Sequence, residues 1–232
     1  MKKLIVIPTY NERENIKRLI PAIASFDKGA HVLVIDDASP DGTAKEVKRI
    51  MKLSKNVRLL ERPRKLGLGT AYTDGFKLAV AEKYDLIFEM DADFSHDPKY
   101  LPDLTEASKK HDLVIGSRYI NGVSVINWPL RRLMLSKFAN LYAKTITGLP
   151  LTDLTSGFKC YKRKVLEAIG LDSVHSDGYA FQIEMHYKAW KKGFSIKEVP
   201  VIFVDRLKGT SKMSKGVIAE AVLIPWKLKF TS

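Results

Sequence analysis

The sequence predicts an α/β protein built on a doubly wound, mostly parallel sheet with helices on both faces. The first half contains five short runs rich in Val, Ile and Leu, and amphipathic segments separate them. Each run is apolar throughout, which is typical of parallel strands buried on both faces. Repeated strand–helix–strand units favour an open sheet with right-handed crossovers. The predicted strands are 3–8, 31–36, 56–61, 85–90 and 112–117.

Helical patterns lie between these strands, and the second half is less regular. Asp41 precedes "GTAKEVKRIMK" and is predicted to cap the second helix. A loop is predicted at 118–128 and a strand near 195–204. The predicted helices are about 12–26, 42–54, 70–83, 98–110, 129–147 and 179–192. Because no linker, repeat or low-complexity tract interrupts the chain, we expect a single domain over 1–232.

The amino-acid composition limits the cellular compartment and the classes of partner that are consistent with the sequence. An apolar content of 45% and a charged content of 28% are typical of a globular protein. The single cysteine, Cys160, excludes an internal disulfide and favours a reducing compartment. No apolar run approaches the roughly 20 residues of a membrane-spanning helix. A net charge of +13 is consistent with nucleic acid, phosphorylated substrates or an acidic membrane as partner, or with solvated lysines on helix faces.

Acidic residues follow the second predicted strand, where ligands bind in open parallel sheets. Asp36 and Asp37 begin "DDASPDGT" and could accept hydrogen bonds from a ribose or a nucleobase. Alternatively, they bond to their own backbone in a turn before the next helix. The first strand is followed by "PTYNERENI", without the glycine-rich turn of a dinucleotide-binding fold, and no Walker P-loop is present.

Two further carboxylates follow the fourth predicted strand in "FEMDADFSHDP". Asp91 and Asp93 point to the same side if the chain stays extended. Such a pair suits Mg²⁺, which takes few protein carboxylates and fills its other positions with water and substrate phosphates. Ser95 or His96 could complete the coordination. The alternative is an acidic turn in which Asp97 caps the helix that starts at Pro98.

Six ordered motifs resemble those of family 2 glycosyltransferases of the GT-A fold, and more narrowly of the polyprenyl-phosphate sugar transferases that include the dolichyl-phosphate mannose synthases. They are "PTYNE", "DDASPDGT", "RKLGLGTAYTDGF", "MDADFSHDP", "GSRY" and "TSGFKCY". The resemblance covers essentially the whole chain. It implies an inverting, metal-dependent transfer of mannose from GDP-mannose to dolichyl or another polyprenyl phosphate, with Mg²⁺ or Mn²⁺. The alternatives are a UDP-glucose-dependent glucosyltransferase acting on the same lipid and a non-catalytic nucleotide-sugar-binding protein.

The resemblance also implies roles for individual residues. Some relatives carry Gln at the position of Ser95. The implied catalytic residues are Asp91, Asp93, Arg118 and Arg206; the nucleotide-sugar-binding residues are Pro8, Tyr10, Glu12, Asp37, Asp91, Arg206 and Lys212; the acceptor-phosphate residues are Arg118, Arg131, Arg132 and Ser136; and the metal ligands are Asp91, Asp93 and Ser95.

A general base is not expected. Relatives that act on a sugar hydroxyl often use a carboxylate in a Glu-Asp pair, and the matching stretch here reads "SDGYAFQIEM". A phosphate acceptor is already ionised and needs instead cations that align its oxygen with the anomeric carbon. Arginine suits this because its planar fork binds two oxygens. Alternatively, Arg131 and Arg132 are solvated, and "DRLKGTSKMSKG" is a plain surface loop rather than a lid over phosphates.

The lipid acceptor implies a membrane surface as partner. "WPLRRLMLSKFANLYAK" (128–144) and "VLIPWKLKF" (222–230) fit interfacial amphipathic helices with Trp at headgroup depth. Alternatively, both apolar faces pack onto the sheet. We expect the cytoplasmic face of a membrane, with the chain peripheral or anchored by further helices or a partner subunit. Nucleic acid is not expected, because the cations are scattered and no nucleic-acid-binding motif is recognised.

Overall fold

The computed structural model describes residues 1–204 and 215–231 of the chain. The strands are β1 (Lys3–Thr9), β2 (His31–Asp36), β3 (Val57–Glu61), β4 (Leu86–Glu89), β5 (Leu113–Ser117), β6 (Val125–Ile126), β7 (Lys159–Lys162), β8 (Ile196–Pro200) and β9 (Phe203–Val204). The α-helices are α1 (Arg13–Phe26), α2 (Thr43–Met51), α3 (Leu68–Ala81), α4 (Leu101–Ser108), α5 (Leu130–Thr147), α6 (Arg163–Ile169), α7 (Gly178–Lys191) and α8 (Lys215–Thr231). Short 3₁₀ helices cover Pro98–Tyr100 and Leu171–Ser173.

A seven-stranded sheet, ordered β3-β2-β1-β4-β7-β5-β8, forms the centre of the molecule. Its neighbouring strands are parallel except at β7, which is antiparallel to both β4 and β5. The predicted mostly parallel α/β sheet is therefore confirmed. Some details differ. The prediction missed β7 and α6, and β6 lies in the predicted loop 118–128. The strand expected near 195–204 divides into β8, which joins the main sheet, and β9, which pairs with β6.

Helices cover both faces of the sheet, which explains why the strands are apolar throughout. Along β1, Leu4 and Val6 face one core, and Ile5 and Ile7 face the other. Helices α1, α2 and α4 contribute to the second core, while α3 and α5 to α8 contribute to the first. With both faces buried, no polar side can alternate with the apolar one.

Asp41 fixes the starts of two helices, although the N-cap of α2 is Gly42 and the predicted cap, Asp41, lies one residue before it. Helix α2 begins at Thr43 after Gly42, whose φ is +85°. One oxygen of Asp41 accepts hydrogen bonds from the backbone N–H and the hydroxyl of Thr43, at 2.9 and 2.6 Å. The other accepts the N–H of Arg13 in the first turn of α1, at 3.0 Å. Partial burial opposes ionisation, but these hydrogen bonds outweigh it and lower the pKa of Asp41.

The carboxyl ends of β1, β2, β4 and β5 lie at the same edge of the sheet, because these strands run in the same direction. This edge carries the residues that follow Thr9, Asp36, Glu89 and Ser117. It is the edge at which open α/β sheets bind ligands. Among the helices of the described residues, none has the length and apolarity needed to cross a membrane.

Candidate functional site

Asp91 and Asp93 form an acidic corner just beyond β4, and local hydrogen bonds fix both carboxylates. Asp91 Oδ1 accepts the Tyr72 hydroxyl at 3.0 Å. Asp93 Oδ1 accepts the backbone N–H and the hydroxyl of Ser95, at 3.0 and 2.5 Å. The Asp91 side chain is 31% exposed, whereas Ser95 is buried. The Ser95 proton is thus committed to Asp93, and this hydroxyl would reach a cation only through its oxygen lone pairs.

His96 supports the backbone of the acidic corner. Its Nδ1 accepts the N–H of Asp91 at 2.9 Å, and its ring stacks on Phe158 with centroids 5.0 Å apart. Burial lowers the pKa of His96, against the raising effect of Asp91 and Asp93. The imidazole is therefore neutral with its proton on Nε2, and Nδ1 is not available as a metal ligand.

The capping role expected for Asp97 is confirmed. Its carboxylate accepts the N–H of Lys99 at 3.0 Å, and Pro98 occupies the first position of the 3₁₀ turn. The same short segment therefore contains the helix cap at Asp97 and, four and six residues earlier, the carboxylate pair Asp93 and Asp91. The two readings of "FEMDADFSHDP" apply to different residues of it.

The donor set of the acidic corner fits a hard divalent cation. In the described part of the chain, no group of three His, Cys, Asp or Glu side chains converges on one point. Two carboxylates are nevertheless enough for Mg²⁺ or a similar ion that completes its coordination with water and phosphate oxygens. Asp91 and Asp93 are both partly exposed, so that their carboxylates could serve as the two protein ligands of such an ion.

Asp36 and Asp37 have different partners, although they are adjacent. Asp36 accepts hydrogen bonds from the Thr9 hydroxyl at 2.9 Å and from the N–H and hydroxyl of Ser39, at 2.9 and 2.6 Å. That is the local turn expected as one alternative. Asp37 is buried against Arg62, whose Nε lies 2.5 Å from Oδ1, and its Oδ2 accepts the N–H of Leu66 at 3.1 Å. Asp37 thus holds the loop between β3 and α3.

The predicted nucleotide-binding residues of the first loop lie beside this segment. Tyr10 follows β1, and Lys65 Nζ lies 4.6 Å from the centre of its ring. Glu12 donates its N–H to the Thr43 hydroxyl at 3.0 Å and accepts the Asn15 amide at 2.7 Å. Pro8, in β1, is partly exposed at the same edge. The loops that follow β1, β2 and β3 therefore meet at one end of the sheet.

A buried charged network beneath the acidic corner was not predicted. Glu89 and Lys159 are both fully buried, and Lys159 Nζ lies 3.2 Å from Glu89 Oε2. Gln182 of α7 donates to Glu89 Oε1 at 2.5 Å, and its carbonyl oxygen accepts from Lys159. Burial raises the pKa of Glu89 to about 7 and lowers that of Lys159. The one signal in the sequence was Glu89 itself, a charge inside the apolar run "DLIFEM".

Arg118 is buried at the carboxyl end of β5 and is paired with Asp153. Its Nε and Nη2 donate to the two oxygens of Asp153, at 2.7 and 2.5 Å, and Nη2 also donates to Thr155. Burial disfavours the charged guanidinium, but the adjacent Asp153 carboxylate outweighs this and raises the pKa of Arg118. The guanidinium also lies 5.5 Å from the ring centre of Trp128. Much of the predicted phosphate fork is thus already occupied.

The other predicted acceptor residues lie in the first two turns of α5. Arg132 packs over Trp128, with Cζ 4.1 Å from the ring centre, while Arg131 is exposed. The Ser136 hydroxyl lies 2.7 Å from the Tyr119 hydroxyl, and Lys137 lies over the same tyrosine ring at 4.1 Å. The predicted residues Arg206 and Lys212, together with most of the loop "DRLKGTSKMSKG", lie outside the described residues.

Helices α5 and α8 expose a joint apolar surface. They are linked through Tyr142, whose hydroxyl donates to the Val222 carbonyl at 3.0 Å and accepts the Trp226 indole N–H at 2.8 Å. We call this surface the α5–α8 apolar face. Its exposed residues are Leu130, Met134, Leu135, Phe138, Leu141, Val222, Leu223, Trp226 and Phe230. The alternative in which both apolar faces pack onto the sheet therefore holds only in part.

Comparison with known proteins gives a consistent result. The sequence profile described as "Glycosyl transferase family 2" matches residues 4–170. The chain is 44% identical to an undecaprenyl-phosphate mannosyltransferase of Micrococcus luteus over 223 residues, covering 96% of this chain and 92% of that protein. It is also 44% identical to a polyprenol monophosphomannose synthase of Mycolicibacterium smegmatis, covering 95% and 84%.

The fold resembles that of solved enzymes with much lower sequence identity. Glucosyl-3-phosphoglycerate synthase from Mycobacterium tuberculosis, crystallised with Mn²⁺, UDP and phosphoglyceric acid, matches with a TM-score of 0.70 at 19% identity. The match covers 97% of this chain and 78% of that one. A second crystal structure of that enzyme, in complex with Mn²⁺ and UDP-glucose, gives a TM-score of 0.68 at 18% identity, covering 95% of this chain and 75% of that one. At such identities the likeness concerns the fold alone.

Proposed function

The chain belongs to glycosyl transferase family 2, and on that premise we propose that it transfers mannose from GDP-mannose to a polyprenyl phosphate with inversion at the anomeric carbon. It is a glycosyltransferase with the GT-A fold, as predicted. The observation that carries the proposal is the 44% identity, over 96% of the chain, to an undecaprenyl-phosphate mannosyltransferase. These relatives favour mannose over the alternative of glucose as the transferred sugar.

The donor binds at the carboxyl edge of the sheet in this proposal. Pro8, Tyr10 and Glu12 border the nucleoside, and Asp37 keeps the facing loop in place through its two occupied oxygens. Asp91 and Asp93 would hold Mg²⁺ or Mn²⁺, with Ser95 fixing Asp93. A cation bound there neutralises the carboxylates and stabilises the negative charge of the departing diphosphate.

The acceptor phosphate binds on the α5 side of the same edge. Arg132 and Ser136 are four residues apart on α5 and so share a face. Exposed Arg131 adds positive charge, and buried Arg118 supports the site from beneath through Trp128 and Tyr119. An oxygen of the phosphate attacks the anomeric carbon as the bond from that carbon to the diphosphate breaks, which inverts the configuration.

No side chain needs to remove a proton from the acceptor, because a phosphate monoester is already ionised near neutral pH. The absence of a general base is supported by the carboxylates of the "SDGYAFQIEM" stretch, which are bonded to other groups of the protein. Asp177 accepts the N–H of Gly69 at 2.7 Å. Glu184 accepts the Ser176 hydroxyl at 2.5 Å and pairs with Lys188 at 2.9 Å. Both therefore have structural roles in the described structure.

The lipid acceptor is reached at a membrane surface, in this proposal the cytoplasmic face. The two helices of the α5–α8 apolar face also carry exposed lysines and arginines, including Arg131, Lys137 and Lys227. An apolar face with cations at its edge binds the boundary between headgroups and acyl chains. Trp226 is suited to headgroup depth. The acceptor phosphate would thus remain near the headgroups while the prenyl chain stays in the bilayer.

The direct test is to identify the product. The purified chain is incubated with a short polyprenyl phosphate, Mn²⁺, and either GDP-mannose or UDP-glucose, and the lipid fraction is analysed by mass. We expect a lipid heavier by one hexose with GDP-mannose, and NMR should show the anomeric configuration opposite to that of the donor. Hexosyl lipid formed only from UDP-glucose, or no hexosyl lipid from either donor, would contradict the proposal.

A further inference from the structure

One carboxylate of the acidic corner is held by a tyrosine that lies in the core. The Tyr72 hydroxyl donates to Asp91 Oδ1 at 3.0 Å. Tyr72 belongs to α3 and is fully buried, whereas Asp91 is partly exposed. The hydrogen bond therefore joins the rigid interior to a carboxylate at the surface. It fixes one oxygen of Asp91 and so restricts the orientation of the other.

The Tyr72 ring has little freedom to move. It stacks on Phe76 in the same helix, with ring centroids 5.8 Å apart, and on Phe181 of α7, at 5.9 Å and within 10° of parallel. The stacked rings therefore hold the Tyr72 hydroxyl in the position from which it donates its hydrogen bond to Asp91.

Helix α3 is itself fastened to the predicted nucleoside side of the site. Arg62, which is paired with Asp37, donates to the Gly67 carbonyl at 2.9 Å and to the Thr70 hydroxyl at 2.8 Å. On the other side, Asp177 accepts the N–H of Gly69 at 2.7 Å. The helix that orients Asp91 is thus tied, one turn earlier, to the loop held by Asp37.

We propose that Tyr72 is a positioning residue that orients the Asp91 carboxylate for the divalent cation. Because α3 is tied to the loop held by Asp37, Tyr72 also fixes the position of Asp91 relative to the nucleoside end of the donor site. This inference rests on the proposed function only in taking Asp91 as a metal-binding carboxylate. Tyr72 itself touches neither the donor nor the acceptor. Hydrogen-bond partners behind a metal ligand commonly change metal affinity or activity by about 10- to 100-fold when they are lost.

The test compares Tyr72→Phe with Tyr84→Phe. Both tyrosines are buried and both hydroxyls are hydrogen-bonded, but Tyr84 bonds to His31 at 2.7 Å, at the opposite end of the sheet. Mn²⁺ affinity in the presence of GDP is measured from the free Mn²⁺ signal in electron paramagnetic resonance, and thermal unfolding is followed without metal. We expect about tenfold weaker Mn²⁺ binding for Tyr72→Phe and less than about a twofold change for Tyr84→Phe.

Steady-state kinetics provide a second readout. Tyr72→Phe should lower kcat while leaving the KM for the lipid phosphate unchanged, because the acceptor side is separate from Asp91. Mn²⁺ affinity within about twofold of the wild type in folded Tyr72→Phe would overturn the inference. So would an equal loss in Tyr84→Phe, which would indicate a general effect on stability.

Phe181→Leu tests the positioning role of Tyr72 if Tyr72→Phe fails to fold. It keeps the hydroxyl but removes the ring that restrains Tyr72. We expect Mn²⁺ binding weakened by about threefold or more, a smaller effect than the roughly tenfold expected for losing the hydrogen bond itself, because Phe181 acts only through Tyr72. Unchanged Mn²⁺ affinity in Phe181→Leu would overturn the inference. A wild-type chain that binds Mn²⁺ with GDP but makes no mannosyl lipid would contradict the proposed function instead, and the comparison of variants would still stand.

Discussion

The two sides of the candidate site are built differently. On the side of β1, β2 and β4, Asp37 and Asp91 are held by partners from the core, and Tyr72 and Arg62 are almost completely buried. On the side of α5, Arg131 and the α5–α8 apolar face are exposed. The first side resembles a preformed binding site for a soluble donor. The second exposes apolar and cationic side chains, which a lipid surface and its phosphate would contact.

The largest effect is expected at the acidic corner. Asp91→Asn or Asp93→Asn should lower kcat by about a thousandfold, because each removes charge that balances the cation at the departing diphosphate. Asp97→Asn is the matched control, since Asp97 caps the following turn and pairs with Lys99 away from the carboxylate pair. Turnover near the wild-type value in both corner variants would show that the donor side lies elsewhere.

A second effect, on stability, tests whether the network beneath the corner is a rigid support. Lys159→Met leaves Glu89 buried without its cation and should lower the free energy of unfolding by about 3 kcal/mol at pH 8. The pKa of Glu89 is already raised to about 7 by burial, above its ordinary value of 4.5. Between pH 4.5 and about 7 the folded state therefore binds a proton on Glu89 that the unfolded state does not. The free energy of unfolding accordingly falls as the pH rises through this range.

The loss in Lys159→Met should accordingly be smaller at pH 5 than at pH 8. Urea unfolding at the two pH values measures it. The double variant Glu89→Gln/Lys159→Met should recover part of the stability at pH 8, because no charge is then left buried without its partner and a glutamine at position 89 still accepts a hydrogen bond from Gln182. An equal loss at both pH values would argue against an ionised Glu89 as its origin.

The sequence was sufficient for the parts of this comparison that depend on local patterns. The apolar runs predicted β1 to β5, and the position of Asp91 after β4 predicted an acidic corner at the ligand-binding edge. Strand β7 could not be predicted in the same way. It has only four residues, two of which are lysines, and its sequence shows no apolar run or alternation that would indicate a buried strand. The partners of Asp37 and Arg118 were equally hidden, because Arg62 and Asp153 lie 25 and 35 residues away in the chain.

Membrane binding tests the exposed side directly. Phe138 and Phe230 are 66% and 75% exposed, so Phe138→Ser/Phe230→Ser should leave thermal unfolding unchanged. Burying a phenylalanine side chain contributes about 1.5–3 kcal/mol, and the double variant should bind vesicles with anionic lipid at least about tenfold more weakly. Leu53→Ser is the control, since Leu53 is 79% exposed and lies just after α2. Equal vesicle binding by all three proteins would remove the α5–α8 apolar face from the lipid interface.

The smallest effect is expected at Arg132. Arg132→Lys keeps the charge but loses the planar fork that can bind two phosphate oxygens, and it should raise the KM for polyprenyl phosphate by about threefold to tenfold. The KM for GDP-mannose should not change. Lys144→Arg, about three turns further along α5 and outside the proposed phosphate site, is a matched conservative control. A rise in the KM of the donor instead would place Arg132 on the other side of the site.

The central claim is that the preformed side binds the donor through a cation at Asp91 and Asp93. Anomalous diffraction from crystals grown with Mn²⁺ and GDP tests it most directly. We predict a single strong manganese peak bounded by these two carboxylates and the diphosphate of GDP. GDP bound at this edge of the sheet with no manganese between it and Asp91 and Asp93 would contradict it.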